Sequence, residues 1–227
     1  MPRIEVNWPQ DIESALLDQE SQRGSLTLQP LDLKSISNGL AIGVSYNERR
    51  KKSIAVGIPM LLTGEPLAMD AVFITEERTE FPYRAGLFVY REGPAVVSLL
   101  NSLPLNIPFL LLYGQGIAHP RGFGLASHIG VLAKTPSIGL TRKRLWGFSR
   151  PPKIGSNEQV ELRDKQGAQL GITTRVLPNC EPIFASPGHM TDLQTVRQFL
   201  SGVSAVKGCF PEALCIAQEE ANRRSHF

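Results

Sequence analysis

Residues 110–130 read LLLYGQGIAHPRGFGLASHIG, an apolar run that breaks into a turn carrying four glycines. Glycine lets backbone N–H groups approach a ligand closely, and His119, Arg121 and His128 add polar groups among these glycines. A turn of this kind at the carboxyl end of a strand is a common way to build a site. Tyr113 stands at the strand end, where a metal-dependent hydrolase would usually place an acid. The stretch therefore predicts a strand, a site-forming turn and a helix.

The pattern on either side of this stretch predicts a mixed α/β sheet flanked by helices. Before it, three apolar strands joined by short turns indicate an antiparallel meander, and after it strands alternate with helices. Pro94 is expected in the first turn of its helix, and Asp11 and Asp192 are expected at helix starts. No internal repeat divides the chain, so residues 1–227 are interpreted as one domain. The predicted strands are 40–46, 53–60, 67–75, 107–113, 136–140, 160–163, 171–176 and 183–186, and the predicted helices are 11–22, 94–103, 123–132 and 191–200.

Composition is compatible with a nucleic-acid partner but does not demand one. The 227 residues are 42% hydrophobic, which is enough for a sizeable core, and the formal net charge is only +3. Basic residues concentrate at 49–52 and, together with Trp146, at 142–153. A basic cluster with an aromatic residue suits a nucleic-acid backbone, although a solvated loop edge would have the same composition.

The cysteine content and the lengths of the apolar runs are used to predict the cellular compartment. The three cysteines, Cys180, Cys209 and Cys215, form no CxxC pair, so we expect neither a disulfide framework nor a zinc site. Sparse cysteines fit a reducing compartment. No apolar segment is long enough to span a bilayer, and the amino terminus has no signal-peptide character. We therefore predict a cytoplasmic protein that does not engage a membrane.

Several motifs resemble the endonuclease V family, whose members are repair nucleases that recognise inosine in nucleic acids. YGQGIAHPRGFGLASHIGV at residues 113–131 is similar to the family's DGHGIAHPRRFGLASHLGV, and TPSIGLTRKRLWG at 135–147 to PTIGVAKKRLCG. GVSY at 43–46 is similar to DVSY, FPYRAGLFVYRE at 81–92 to a PYIPG wedge loop and a run ending in RE, and PIFASPGH at 182–189 to a late strand with its histidine. The resemblance implies a ribonuclease-H-like fold. The last helix departs from it, since PEALCIAQ replaces PEPTRLAH.

The resemblance also implies a centre in which acids on adjacent strands hold Mg²⁺ over the phosphate to be cleaved. The three acid positions correspond here to Gly43, Glu92 and Tyr113, so only Glu92 keeps a carboxylate. Gly43 offers no ligand, and a neutral phenol at Tyr113 is a poor one at pH 7. Mg²⁺ is therefore expected only if the chain is active, with Glu92 as its ligand, and otherwise no tightly bound cofactor is expected.

Other catalytic positions of the family are partly kept. Its lysine corresponds to Arg142, which keeps the positive charge, and its late histidine corresponds to His189. The histidine of DGHG is replaced by Gln115, so one acid–base candidate is gone. We therefore expect the remaining catalytic set to be Glu92, Arg142 and His189, although His189 would serve equally well as a loop histidine bonded to backbone.

The positions that the resemblance assigns to substrate recognition are better preserved. The family holds an extruded base mainly by backbone groups, since a flipped base needs a snug pocket. A wedge tyrosine can stack on a base. Each glycine alone could simply form a tight turn, and a buried, purely structural His128 is an open alternative. The expected nucleic-acid contacts are Tyr83, Gly86, Gly114, His119, Arg121, Gly124, Leu125 and His128.

Three functions are therefore considered. The favoured one is a protein that recognises inosine-containing or distorted DNA or RNA, as a monomer, with weak or no phosphodiester hydrolysis. The second is an active inosine-specific endonuclease whose metal site has been rebuilt from a nearby acid. The third is a structural or protein-interaction role without nucleic-acid binding. The candidate replacement acids are Glu48, Asp70, Glu76, Glu77 and Glu80.

Overall fold

A central sheet of eight strands organises the computed structural model, which describes residues 3–68, 70–104 and 106–226. The strands of the sheet are β1 (Asn38–Asn47), β2 (Lys52–Leu61), β3 (Phe73–Arg78), β4 (Leu110–Tyr113), β5 (Ser137–Thr141), β6 (Val160–Arg163), β7 (Gln169–Thr174) and β8 (Ile183–Pro187). A small hairpin joins β9 (Val206–Lys207) and β10 (Phe210–Pro211). The helices are α1 (Ile12–Arg23), α2 (Val89–Ser102), α3 (Leu125–Ala133), α4 (Leu193–Gly202) and α5 (Glu212–Ser225), with a 3₁₀ turn at Leu33–Ser35.

The sheet combines parallel and antiparallel pairing in the order β3-β2-β1-β4-β5-β8-β7-β6. The meander β1-β2-β3 is antiparallel, β4 pairs parallel with both β1 and β5, and β8, β7 and β6 continue antiparallel. The carboxyl ends of the three central parallel strands therefore meet at one edge, which is where open α/β sheets place their ligands. The predicted mixed sheet is confirmed.

Strand alternation fills a core on each face of the sheet. Leu40 and Ile42 of β1 pack in the core beneath α2 and α3, whereas Ala41 packs with Leu111 in the core beneath α4 and α5. Successive strand residues point to opposite faces, so a strand that is buried on both sides is continuously apolar. This explains why residues 40–44 of β1 and 110–112 of β4 are continuously apolar, and it confirms the helices predicted on both faces.

The predicted and observed bounds differ most at two elements. The strand expected at 67–75 is instead β3, which is set by pairing with β2 from Gly57 to Lys52. Because β3 is an edge strand, its exposed residues are polar, and the apolar run before it forms a loop whose residue 69 lies outside the described residues. The helix expected to begin at Pro94 begins at Val89, which places the proline inside α2. The Tyr90 carbonyl, which Pro94 cannot bond, accepts a hydrogen bond from the Thr79 hydroxyl at 3.4 Å.

A disulfide joins Cys180 to Cys209, so the prediction of no disulfide is wrong. The two cysteines are 29 residues apart and share no short motif, and the fold alone brings their Cα atoms to 5.3 Å. The bond ties the segment before β8 to the β9–β10 turn. Cys215 stays a free, buried thiol. None of the helices in the described part of the chain is long and apolar enough to cross a membrane.

Candidate functional site

A half-enclosed cavity of about 290 Å³ opens at the carboxyl ends of β1, β4 and β5. Residues from the first turn of α2, the start of α3 and helix α5 form its sides. It brings together about half of the positions singled out from the sequence, whereas Gly43, Tyr83, Arg121, His128, Arg142 and His189 do not line it. The lining residues are Gln19, Val44, Ser45, Gly86, Phe88, Val89, Glu92, Tyr113, Gly114, Gln115, His119, Gly124, Leu125, Thr141, Gln218 and Asn222.

The Gly86 carbonyl is the most heavily bonded group of the cavity wall. It accepts hydrogen bonds from Gln19 Nε2 at 3.2 Å, His119 Nε2 at 3.0 Å and Arg121 Nη2 at 2.6 Å. Gly86 has φ +81°, which favours glycine, and an added Cβ would lie 2.8 Å from Arg121 Nη2. Three donors on one carbonyl fix the loop that follows the wedge segment.

Gln19 was not recognised from the sequence, although it organises this wall. It is buried on α1, donates to the Phe123 carbonyl at 2.8 Å and accepts from Arg121 Nε. Gln19 comes four residues after the buried Ala15, so the two share one helix face. A glutamine on the buried face of a helix was therefore the available signal.

His119 supports the same loop as a neutral imidazole. Its Nδ1 accepts from the Arg121 backbone N–H at 3.2 Å, so Nε2 carries the hydrogen that is donated to Gly86. Burial, reinforced by the positive charge of Arg121, lowers the pKa of His119 to about 4. His119 is thus a structural donor at neutral pH.

The glycines of the turn after β4 allow close backbone approach. A Cβ on Gly116 would lie 1.8 Å from the Pro187 carbonyl oxygen, and one on Gly124 would lie 2.4 Å from the Gln115 carbonyl oxygen. The Gly124 N–H bonds the Gly116 carbonyl at 2.9 Å and closes the turn. Packing of the turn therefore requires both glycines, and the same turn places Gly114 and Leu125 on the cavity wall.

Glu92 lies in the first turn of α2, so the expectation that it would sit on a strand is corrected. Its carboxyl group still faces the cavity. Burial raises the pKa of Glu92 to about 7, and the charge of Arg91 only partly opposes this rise. The Arg91 guanidinium turns away, donating to Glu48 and stacking 3.7 Å above the centre of the Tyr46 ring.

Helix α5 occupies the space beside Gly43. A Cβ added to Gly43 would lie 2.4 Å from the Ala217 carbonyl carbon and 2.4 Å from the Gln218 backbone nitrogen. The Gln218 side chain accepts from the Val44 N–H and donates to the Val44 carbonyl, both at 3.0 Å. Ser45 adds a hydroxyl contact of 2.9 Å to Ser225. The helix is therefore bonded along β1 at the level of the missing acid.

Tyr113 fills the third acid position with an aromatic ring. The half-buried ring lies 5.5 Å from that of Phe210, and burial raises the pKa of its phenol, so Tyr113 is neutral at pH 7. Arg142 is close enough to Tyr113 for its charge to oppose this rise, but it does not line the cavity. Its Nη1 donates to the Gly208 carbonyl at 2.7 Å, and its guanidinium lies 4.8 Å from the centre of the Phe210 ring.

The residues present do not fit a Mg²⁺ site. Mg²⁺ needs several oxygen ligands, mainly carboxylates, yet Glu92 is the single acid among the described residues that line the cavity. The described residues hold no group of three or more His, Cys, Asp or Glu side chains arranged for a metal. Glu48, Glu76 and Glu80 instead pair with Arg91, Lys52 and Arg78 respectively. The first acid position is also filled by α5 backbone.

His128 has surroundings that suit a structural role. It is fully buried against the rings of Trp8, Tyr90 and Phe123, with centroid distances of 5.0–6.1 Å. Its Nε2 lies 3.8 Å from Asp18, and neither ring nitrogen is hydrogen-bonded within the described residues. Burial lowers its pKa to about 4. This packing corresponds to the structural alternative considered from the sequence.

His189 and Tyr83 both lie outside the lining of the cavity. His189 follows β8, where its Nδ1 accepts from the Thr27 N–H at 3.2 Å and burial lowers its pKa. It is thus a backbone-bonded loop histidine that does not reach the cavity. Tyr83 is 66% exposed, with its ring 5.7 Å from that of Phe88. An exposed ring beside the Gly86 loop is free to stack on a base.

Comparison with known proteins gives a consistent result. The Endonuclease V family model matches residues 23–219. The Endonuclease V of Methanothrix thermoacetophila is 35% identical over 222 residues, covering 97% of this chain and 95% of its own, and that of Thermus thermophilus is 34% identical over 192 residues, covering 84% of each.

Solved structures agree with the sequence comparison. The Endonuclease V of Streptomyces avermitilis superposes with a TM-score of 0.86 at 28% identity, covering 98% of this chain and 96% of its own. The Endonuclease V of Ciona intestinalis, in complex with a DNA containing an inosine followed by a ribo-adenosine, superposes with a TM-score of 0.75 at 20% identity, covering 93% and 96%. The second likeness concerns the fold alone.

Proposed function

Because this chain belongs to the endonuclease V family and has its ribonuclease-H-like fold, we propose that it binds nucleic acid at the cavity, with a preference for inosine or distorted sites, and hydrolyses it weakly or not at all. Endonuclease V enzymes depend on a divalent metal. This member would keep the residues that recognise the base and would lack the residues that hold the metal. A protein can keep the fold of its family without keeping the reaction.

The observation that carries this proposal is the contrast between the two halves of one cavity. On one side, three donors fix Gly86, and the turn glycines place Gly114 and Leu125 beside it. On the other side, α5 covers Gly43 and an aromatic ring replaces the acid at Tyr113. A rigid, partly enclosed wall suits a flipped base, whereas one carboxylate does not suit Mg²⁺.

The chain's own residues would perform recognition in two steps. Tyr83 would stack where the extruded base had been, because its ring is exposed in the wedge loop. The base would enter between the Gly86 loop and the start of α3, whose backbone groups border the cavity. Arg121 and His119 would act by positioning the loop, since both bond to the Gly86 carbonyl. No hydrolytic step is assigned to these residues.

The test measures binding and cleavage on the same oligonucleotides. Fluorescence anisotropy would compare labelled DNA and RNA strands carrying inosine or guanosine at one position, and gel analysis would follow nicking with Mg²⁺ or Mn²⁺. We expect tighter binding of the inosine strand and no metal-dependent product. Robust nicking would instead support the active enzyme, and absent binding of both strands would support the protein-interaction role. Equal binding of both strands would contradict the preference for inosine.

Gly86→Ala is the variant that tests the recognition wall. It places a side chain at positive φ, 2.8 Å from Arg121, so we expect it to abolish the inosine preference. Gly167→Ala is the matched control, since Gly167 has φ +87° in the open β6–β7 turn with nothing within 4 Å. Equal inosine preference in the two variants would contradict the assignment of the wall.

Three further expectations stay predictions. They are the cytoplasmic location, the monomeric state and the interpretation of residues 1–227 as one domain. Size-exclusion chromatography with light scattering, with and without an inosine strand, would measure the oligomeric state directly. A stable dimer in the absence of nucleic acid would contradict the prediction of a monomer.

A further inference from the structure

A basic strip, formed by Arg142, Lys143 and Arg144, leads from the cavity to a second, shallow groove at the edge of the sheet. Thr141, the last residue of β5, lines the cavity, and Arg144 lines the groove beside β6. Three residues span at most about 10 Å, so the two depressions are neighbours on the surface. The groove is lined by Arg144, Phe148, Ser149, Arg150, Gln159, Val160, Glu161, Arg163 and Arg197.

Phe148 forms an exposed but fixed platform in this groove. Its side chain is exposed, with 55% of the residue accessible, yet its backbone N–H and carbonyl bond to Arg163 at 2.6 and 2.9 Å. The neighbouring Ser149 hydroxyl bonds that of Thr173 at 2.8 Å. Gly147 allows the chain to turn into this bridge with φ +89°. An exposed aromatic residue on a fixed backbone is the geometry of a stacking platform for bases.

The groove is also electropositive. Four arginines line it, and Glu161 is the single acid among its described lining residues. Glu161 pairs with Arg163 and Arg197, whereas Arg150 pairs with Glu158 at one end. The Arg144 guanidinium lies 5.9 Å from the centre of the Phe148 ring. It forms no ion pair within the described residues, so its charge is available to a phosphate beside a stacked base.

We propose that this groove binds single-stranded nucleic acid flanking the base held in the cavity. An unpaired base would stack on Phe148, and Arg144 would contact the adjoining phosphate. Single strands are favoured because a base must be unpaired to stack on a side chain. The inference rests on the proposed function, and it adds a second contact region that the cavity alone does not provide.

The experiment compares strand lengths. Anisotropy would be measured with inosine-centred single strands of about five and about twenty nucleotides, because the short strand covers the cavity and the long strand also reaches the groove. We expect Phe148→Ala to weaken binding of the long strand by about 5-fold or more and to leave the short strand unchanged. Arg144→Ala should lower the slope of log affinity against log salt by about 0.7.

Arg50→Ala is the matched control, since it removes the same charge from the exposed β1–β2 turn. Thermal unfolding of each variant verifies that it is folded. If Phe148→Ala and Arg144→Ala both behave like Arg50→Ala while the wild type still prefers inosine, the groove proposal is overturned and the proposed function stands. If the wild type binds neither strand, the proposed function fails. Tighter binding of a matched duplex than of the long single strand would also overturn the groove proposal.

Discussion

The backbone of Ala217 lies where a side chain on Gly43 would begin, with 2.4 Å between its carbonyl carbon and an added Cβ atom. The contacting atoms belong to a helix backbone that cannot rotate out of the way as a side chain can. Gln218 bonds the backbone of the next residue, Val44, on both its N–H and its carbonyl. Gly43 is therefore a packing residue between β1 and α5.

Substitution of Gly43 should destabilise the fold. Gly43→Ala is expected to lower the free energy of unfolding by about 1–3 kcal/mol, because a Cβ must displace α5, and Gly43→Asp should cost more. Urea unfolding measures the change. Gly202→Ala is the control, because Gly202 ends α4 with nothing within 4 Å. A Gly43→Ala variant as stable as the wild type would show that α5 moves away readily.

Restoring both missing acids should not restore a metal site. The double variant Gly43→Asp with Tyr113→Asp is expected to bind Mn²⁺ no better than the wild type, because the carboxylate introduced on β1 would have to share its position with the Ala217 backbone. Mn²⁺ titration followed by electron paramagnetic resonance reads out binding without any activity assay. Saturable one-to-one Mn²⁺ binding by the folded double variant would contradict this expectation.

Glu92→Gln should stabilise the protein in alkaline solution. The pKa of Glu92 is raised from 4.5 to about 7, so the folded state holds this proton more tightly and loses stability as pH rises from about 4.5 through 7. A neutral amide avoids that loss, and we expect a gain of about 1–3 kcal/mol at pH 8 with little gain at pH 4.5. Chemical unfolding at the two pH values tests the sign. A destabilised variant at pH 8 would show that the carboxylate is needed in its charged form.

Gln19→Leu should weaken both the fold and the inosine preference. It removes one donor from the Gly86 carbonyl, the donor to the Phe123 carbonyl and the acceptor for Arg121 Nε. Buried polar groups left without partners cost about 1–3 kcal/mol. Gln198→Leu on the exposed side of α4 is the control. Unfolding curves and inosine anisotropy would be measured together, and retention of full preference would show that His119 and Arg121 hold the loop unaided.

His128 should make the protein sensitive to acid. Its pKa is lowered from 6.5 to about 4 by burial, so stability is fully present above pH 6.5 and is lost as pH falls from 6.5 towards 4. The shift corresponds to a loss of about 3 kcal/mol at most. His128→Phe should flatten this part of the stability profile, because the site is already aromatic. An unchanged slope between pH 6.5 and 4 would contradict the assignment.

Most strands of the sheet could be predicted from the sequence, because strands that are buried on both faces are continuously apolar. The prediction failed at β3, where an edge strand is defined by its partner β2 and carries polar residues. It also failed at Pro94, because the rule for proline in a first turn cannot foresee that Thr79 supplies the carbonyl of Tyr90 with a donor. Both errors concern contacts with residues distant in the chain.

The candidate site was predictable to a similar degree. The motif placed Gly86, Gly114 and Glu92 at one cavity, but it did not show that Gln19 supports the wall from α1, 67 residues before Gly86. The sequence also shows a missing acid at Gly43 without showing that α5 has closed over it. The sequence alone shows that the side chain at Gly43 is missing, whereas only the folded structure shows which group occupies the space.

The bond between Cys180 and Cys209 makes the thiol content of a buffer an experimental variable. It braces the β9–β10 turn, and the Gly208 carbonyl of that turn holds Arg142, the residue at which the cavity wall passes into the basic strip. A disulfide that closes a loop of 29 residues lowers the entropy of the unfolded chain, which raises the free energy of unfolding by about 3–4 kcal/mol. A sample handled in dithiothreitol would therefore differ from an oxidised one both in stability and in the freedom of the Arg142 guanidinium.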